Sequence, residues 1–363
     1  MVHVLKFGGS SISNFKAIKN VKSIINNIHA TGDRTAVVVS AFYGVTNKLI
    51  DAMECAKKGD ITSMKNNLST LQTSHKIISS ELNVEREAID YIFDSTNRSF
   101  QEILDTKKIK ANNYDNIVSI GEKLSASIIS SSEDKYKYTG DVIITNNNYG
   151  NSYPIMNSTK EKCISITESF SQGKIPVVPG FFGHTMNGRI TTMGRGGSDL
   201  TSTVIANCIG AKDISFYKVE CNSKGDWEKG LVGIIHPNKE TISHLSFSEM
   251  HEMGNLGRTV LHGSTMKPIK FNRDLTIHIK NTLEPAKAGT KITLDGPKRS
   301  RAAPFATMMN DPGSNLVHLI GQHHNFYLGK KYTDQITYKS EHSITLRVSS
   351  RDEINEIFNL YLS

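Results

Sequence analysis

Apolar positions along the chain change their spacing from block to block. Val2–Phe7 is a short apolar run, and residues 35–40 (Thr-Ala-Val-Val-Val-Ser) are β-branched and uninterrupted. An unbroken run of this kind is the mark of a parallel strand covered on both faces. Between them Ile12, Phe15, Ile18, Val21, Ile24, Ile25 and Ile28 recur at helical spacing, predicting a helix over 12–28. Strand, helix and strand in succession make a βαβ unit, so the fold class is α/β, a mainly parallel sheet sandwiched by helices. Residues 46–130 read as mainly helical, with Ile77, Ile78, Leu82, Ile89, Ile92, Phe93, Phe100, Ile103 and Leu104 three or four apart. Further strands are predicted at 141–145, Ile175–Pro179, 214–219 and 275–280, and Ile190–Thr192 leads into the second glycine-rich segment. Helices are predicted at 199–208 and at 248–261, the second behind a cap-like Ser246 or Ser248. The pattern changes near residue 300. Strands at 315–321, 335–339 and Ser343–Val348, then a helix at 351–362, predict a small α+β module over 300–363 after a large domain over 1–295.

Composition narrows the class. The chain has 363 residues, 37% hydrophobic and 21% charged, as in a globular protein, and no apolar run approaches the ~20 residues of a membrane span. Met-Val-His-Val-Leu-Lys leads into a strand and not into a charged-then-apolar leader, so a cytoplasmic protein without a membrane partner is expected. Cys55, Cys163, Cys208 and Cys221 are scattered with no C-x-x-C pair, which favours reduced thiols over a disulfide or metal site. The net charge is +8, but Lys and Arg are dispersed, with short runs such as Lys107-Lys108 and Lys298-Arg299. A solvated basic surface, or a basic lining for an anionic nucleotide, accounts for this without nucleic acid.

Candidate chemistry lies in two glycine-rich segments. Lys6-Phe7-Gly8-Gly9-Ser10-Ser11 follows a strand, where glycines let backbone N–H groups approach phosphate oxygens and Lys6 adds a point charge. It has neither the P-loop order nor the dinucleotide G-x-G-x-x-G, and a plain βα turn is the other reading. Gly194-Arg195-Gly196-Gly197-Ser198-Asp199 is more specific, because the planar fork of Arg195 suits a carboxylate. Ser198 and Asp199 also read as helix caps, which is compatible with a site. In Ser119-Ile120-Gly121-Glu122-Lys123-Leu124, placed before a helix, Glu122 reads either as the receiver of an ammonium group or as a partner of the helix dipole. Two glycine loops facing each other suit a phosphoryl transfer.

Together these segments resemble the aspartokinase branch of the amino-acid kinase family. Lys6–Ser11 is similar to its Lys-Phe-Gly-Gly-Thr-Ser opening, and Ser40-Ala41-Phe42-Tyr43-Gly44-Val45-Thr46-Asn47 to Ser-Ala-Met-Ser-Gly-Val-Thr-Asn. Residues 119–126 resemble Ser-x-Gly-Glu-x-Leu-Ser-Ala. Pro179-Gly180-Phe181 with 191–199 resembles the central block, and Val260-Leu261-His262 with Ile279-Lys280-Asn281-Thr282, Pro285 and Gly289-Thr290 the last. The match runs in order over residues 2–292. The resemblance implies phosphorylation of the side-chain carboxylate of L-aspartate by ATP with Mg2+, by a homodimer. It implies a phosphoryl-stabilising Lys6 organised by Asp199, with Arg195 on the α-carboxylate, Glu122 on the α-ammonium, and Ser10, Thr46 and Ser198 near the substrate. Gly8, Gly9, Ser40, Gly196, Gly197, Tyr217, Lys218 and Arg258 would join Lys6 around the nucleotide.

The chain departs from the family on the nucleotide side. The family's Thr-Asp-Val-Asp-Gly is Tyr217-Lys218-Val219-Glu220-Cys221-Asn222 here, and the following 223–230 lacks Asp-Pro-Arg. The family's Gly-Ala-Lys is Gly257-Arg258-Thr259, so a phosphate-facing Lys is missing, with Arg258 one residue away. Retained ATP binding through other contacts, another phosphoryl donor, and substrate binding without transfer all stay open. So do a kinase of an aspartate-like amino acid and a non-catalytic amino-acid-binding regulatory subunit. Residues 300–363 have room for one ACT-like module at most, and its ligand loop is not recognisable at Gln322-His323-His324-Asn325, which predicts weak or absent feedback control by lysine or threonine. Adjacent His323 and His324 are not read as a metal site.

Overall fold

The computed structural model describes residues 1–219, 241–255, 260–269, 272, 274–296, 303–307, 315–320, 332–339, 343–350, 352–354 and 356–357. The chain divides into two compact units, 1–228 and 229–363.

The first unit is built on parallel strands β1 (Val2–Phe7), β2 (Arg34–Val39), β3 (Tyr136–Tyr138), β5 (Ile175–Pro179) and β8 (Asp213–Lys218). They run side by side in the order β3-β5-β2-β1-β8, every neighbouring pair parallel. A small sheet joins β4 (Ile144–Thr145), β6 (Phe182–Thr185) and β7 (Ile190–Thr192). The helices are α1 (Phe15–His29), α2 (Val45–Lys58), α3 (Ile61–Glu81), α4 (Glu87–Asp94), α5 (Asn97–Thr106), α6 (Ala111–Ser131), α7 (Met156–Lys162), α8 (Ile164–Ser171) and α9 (Gly197–Cys208). This is the expected α/β fold, with helices packed on a parallel sheet and α2 to α6 filling the helical stretch.

Strand alternation divides the β1 side chains between two layers. Leu5 and Phe7 join a fully buried core with Val37, Val39, Val177, α1 and α6. Lys6 has the opposite parity and projects from the face on which α9 packs against β1, β2 and β8. That placement makes the site, because the first turn of α9 carries Ser198 and Asp199.

Several expected boundaries move for local reasons. The helix expected from Ile12 begins at Phe15, where the Asn14 side chain accepts the Ala17 N–H at 3.0 Å. Ile12 closes a 3-10 turn and is still fully buried. The strand expected at 141–145 is confined to Ile144–Thr145, since Asp141 adopts φ 58°, which breaks an extended run. Glu122 is not at a helix start: α6 begins at Ala111, so Glu122 sits more than two turns inside it, away from the dipole end. Nor are Ser198 and Asp199 caps, because Gly196, at φ 76°, takes the cap position of α9.

In the second unit, β9 (His244–Ser246) leads into α10 (Phe247–Asn255) through a capping box. The Glu249 N–H donates to Ser246 Oγ at 3.0 Å, and the Ser246 N–H donates to Glu249 Oε2 at 2.7 Å, so Ser246 is the cap of the two candidates. Strands β10 (Thr276–Asn281) and β11 (Thr290–Thr293) pair antiparallel, and β11 pairs parallel with β9. Strands β12 (Ala303–Thr307), β13 (Asn315–Ile320), β14 (Ile336–Lys339) and β15 (Ser343–Val348) form an antiparallel sheet in the order β12-β13-β15-β14. Its core joins Val317, Leu319, Leu346 and Val348 to Ile354 and Ile357. Glu220, Cys221, Asn222, residues 223–230, Gly257, Arg258, Thr259 and residues 322–325 lie outside the described residues. Among the described residues no helix is long and apolar enough to cross a membrane.

Candidate active site

Three segments distant in sequence converge at the carboxyl ends of β1 and β2, the end of a parallel sheet where ligands bind. The loop after β2 carries Ala41, and two glycines close on it. A Cβ on Gly9 would stand 2.7 Å from the Ala41 carbonyl oxygen, and one on Gly121 would stand 2.7 Å from Ala41 Cβ. Only glycine permits both approaches. They bring the first glycine loop and the middle of α6 onto the Ser40–Gly44 turn, and Glu122 comes with them.

The loop after β1 is also tied to the end of β8. Gly8 N–H and Ser11 Oγ both donate to the Tyr217 carbonyl, at 3.3 and 3.1 Å, and Ser10 Oγ donates to the Val219 carbonyl at 3.3 Å. Tyr217 itself lies in the core, stacked on Phe7 with ring centroids 4.9 Å apart, and burial raises its phenol to about 12. Its backbone, not its ring, meets the glycine loop.

At the centre Lys6 Nζ stands 2.6 Å from Asp199 Oδ1, and Lys218 Nζ stands 3.1 Å from Asp199 Oδ2. Burial by itself would raise the Asp199 carboxyl, but the charges of Lys218 and Lys6 outweigh it and hold the group at about 2. Asp199 is thus a fixed anion at neutral pH, unsuited to accept a proton.

Two cavities open here. The larger, about 700 Å3, is lined by Lys6, Ser40, Thr46, Arg195, Gly196, Gly197, Ser198 and Asp199 among others. The smaller, about 300 Å3, shares Ser40, Thr46 and Asn47 with it and adds Gly9, Ser10 and Glu122. Glu122 is 5% exposed, and its Oε2 has no hydrogen-bond partner. Burial raises its pKa to about 8, against smaller opposing contributions from the Ala41 N–H and the Lys6 charge. A buried carboxyl with one oxygen left open in a cavity wall is placed to receive a cation.

Of the residues singled out in the sequence, Lys6, Ser10, Ser40, Thr46, Glu122, Arg195, Gly196, Gly197, Ser198 and Asp199 therefore line the two cavities, as does Gly9. Gly8 bonds the Tyr217 carbonyl at the end of β8, Lys218 reaches Asp199 from β8, Tyr217 is core, and Arg258 lies outside the described residues.

The structure adds residues that sequence reasoning missed. Phe181 lines the larger cavity with φ 73°, a conformation non-glycine residues rarely adopt. Asp115, buried on α6, accepts Thr192 N–H at 2.9 Å, Thr192 Oγ1–H at 2.6 Å and Gly150 N–H at 2.9 Å. It anchors the end of β7, from which the Arg195 loop departs. An Asp one helical turn before the Ser119–Glu122 segment was the only local signal.

The model of the amino acid kinase family matches residues 1–220. Aspartokinase 2, chloroplastic, of Arabidopsis thaliana is 29% identical over 311 residues, covering 80% of this chain and 54% of that protein. The aspartokinase of Rickettsia prowazekii is 27% identical over 299 residues, with 80% and 54% covered. The chain spans about half the length of these curated relatives. Among solved structures, E. coli aspartokinase III in complex with aspartate and ADP superposes with a TM-score of 0.77 at 19% identity, covering 99% of this chain and 98% of that one.

Proposed function

The chain belongs to the amino acid kinase family, and from that premise we propose that it is an aspartate kinase, transferring the terminal phosphoryl group of ATP to the side-chain carboxylate of L-aspartate. The observation that carries this reading is the buried Glu122, its Oε2 without a hydrogen-bond partner, in a cavity wall that shares Ser40 and Thr46 with the wall holding Arg195 and Lys6. An α-amino acid presents one anion and one cation at its α-carbon. Arg195 takes the α-carboxylate through its fork and Glu122 takes the ammonium. The side chain is then left to reach toward Lys6, with Thr46 and Ser198 beside it.

The chemistry asks little of the protein beyond placement. A carboxylate oxygen attacks the terminal phosphorus, the bond to the bridging oxygen of the β-phosphate breaks, and ADP leaves with that electron pair. The nucleophile is already ionised, so no base is required. This accords with Asp199, which is locked between two ammonium groups and serves to hold Lys6 on the transferring group. Rate comes from alignment and from neutralising charge on the phosphoryl oxygens.

In this reading the loop of Gly8 and Gly9, with Ser40, Gly196 and Gly197, lies along the phosphates; the Gly8, Ser40 and Gly197 N–H groups are spent on the Tyr217, Phe7 and Gly194 carbonyls and hold the loops in shape. Both oxygens of Asp199 are engaged by lysines, and among the described residues no group of three or more His, Cys, Asp or Glu side chains is placed to hold a metal ion. Magnesium in this reading arrives as part of the nucleotide substrate, held by phosphates and water. A homodimer in the cytoplasm completes the proposal. The aspartokinase names of the relatives support the kinase reading, as does the aspartate and ADP complex of the E. coli structure.

Trapping the acyl phosphate with hydroxylamine, with aspartate, glutamate and close analogues as acceptors, tests the reading. Hydroxamate formed from aspartate and ATP is the expected result. Product from another acceptor alone would shift the substrate. Aspartate binding without turnover with any donor would overturn the kinase in favour of a binding subunit.

A further inference from the structure

Two cysteines that stand far apart in the sequence meet in the fold. Cys163 closes α7 and caps the start of α8, and Cys208 is the last residue of α9. Helices α7 and α9 pack on each other, and the Cys163 S–H donates to the Cys208 sulfur. Both are free thiols. Cys55 stands apart from them: on α2, its sulfur accepts from the Asn67 amide at 4.0 Å.

The surroundings of the two thiols suit them to unequal roles. Cys163 is 2% exposed, whereas Cys208 is half-buried at the end of its helix. The hydrogen bond from Cys163 lowers the Cys208 pKa; partial burial opposes this and the Lys160 charge adds to it. The same hydrogen bond, with burial, raises Cys163. The thiolate is the reactive form of cysteine, so Cys208 is the nucleophile of the pair and Cys163 the protected partner. An accessible thiolate beside a second thiol is the arrangement in which oxidation ends in a disulfide.

We propose that Cys208 is a modification site for small hydroperoxides, with Cys163 as the thiol that resolves its sulfenic acid into a Cys163–Cys208 disulfide. The Cys208 thiolate attacks one oxygen of the peroxide, the O–O bond breaks, and the departing hydroxide takes up a proton as water. The Cys163 sulfur then attacks the Cys208 sulfur. The S–O bond breaks, and the second hydroxide leaves with the Cys163 proton as water. The two thiols together give up two hydrogens and two electrons, and a dithiol reductant returns them. Neither thiol lines the two cavities, so this chemistry is separate from phosphoryl transfer. The bond ties the last turn of α9, whose first turn carries Ser198 and Asp199, to the α7–α8 junction.

Treating the folded, fully reduced chain with hydrogen peroxide, then blocking free thiols with N-ethylmaleimide and mapping peptides by mass spectrometry, tests it. The expected product is a peptide pair linked through Cys163 and Cys208, released by dithiothreitol. In Cys163→Ser the sulfenic acid should persist on Cys208 and be trapped by dimedone. In Cys208→Ser the remaining Cys163 should react at least about tenfold more slowly than Cys208 does in wild type. Should either variant fail to fold, iodoacetamide labelling of reduced wild type reads the same order, with Cys208 alkylated before Cys163. A disulfide joining other cysteines, Cys163 reacting first, or Cys208 passing to sulfinic acid while Cys163 stays reduced overturns the assignment. So does a chain whose Cys208 resists peroxide at concentrations that oxidise free cysteine.

Discussion

Replacing Glu122 with Gln sets the stability of the empty site against its affinity for an amino group. The Glu122 carboxyl titrates near 4.5 in a solvated chain and at about 8 in the folded protein, because burial disfavours its charge. The sign follows directly. Between these values the folded state holds a proton that the unfolded state has released, so stability falls as pH rises from 4.5 to about 8. Over that whole interval the loss amounts to about 5 kcal/mol, and at pH 7 to about 3 kcal/mol. Gln mimics the protonated form and does not titrate. Glu122→Gln is therefore expected to match wild type near pH 4.5 and to exceed it by up to about 3 kcal/mol at pH 7 in urea denaturation without substrate.

Binding should move the other way. An ammonium group requires the ionised carboxylate, which at pH 7 is about one tenth of the free protein for a group titrating near 8. Wild-type aspartate affinity should rise about tenfold per pH unit below 8 and then level off, with close to one proton released per aspartate bound at pH 7. Calorimetry in buffers of different ionisation enthalpy reads both quantities. Glu122→Gln should bind weakly and without this pH dependence. If wild-type affinity is flat between pH 6 and 8, or the variant is no more stable than wild type at pH 7, the burial argument for Glu122 is wrong.

Three further outcomes are expected. Arg195→Ala should raise KM for aspartate about 10- to 100-fold with little change in kcat, since it removes binding common to ground and transition states; an unchanged KM in steady-state assays would exclude a carboxylate clamp. Asp115→Asn puts an amide N–H2 where three donors converge and should cost about 1–3 kcal/mol in denaturation while raising KM through the loop after Thr192; wild-type behaviour in both would show that the anchor does not matter. His75 is buried between Phe42 and Phe93, its Nδ1 2.7 Å from the Leu71 carbonyl, and burial lowers its pKa. Its folded pKa lies below its unfolded value near 6.5, so the stability held above that pH is lost on acidification, and thermal melts of His75→Phe should be flatter than wild type between pH 6.5 and 5.

How much of this was legible in the sequence depends on the range of the interactions involved. The strands Ile175–Pro179 and Ser343–Val348 were readable because apolar runs and turn residues are local. The cap was readable only as far as Ser246 or Ser248, and the reciprocal bonds between Ser246 and Glu249 decide between them. Glu122 was placed at a helix start because a glycine precedes it, and glycine ordinarily weakens a helix interior. Gly121 occupies α6 because Ala41 presses against it, a contact from 80 residues upstream that no local pattern records. The same holds for Asp115, whose three donors come from two distant segments, and for Lys218, which reads as a lost acid until Asp199 is seen beside it. Gly9 and Gly121 draw the Lys6 loop and Glu122 onto one turn, so the phosphate side and the amino side of the site share a single packing constraint at Ala41. A side chain at either glycine would displace both halves together, which is why segments that look like separate anion cradles in the sequence act as one site in the fold.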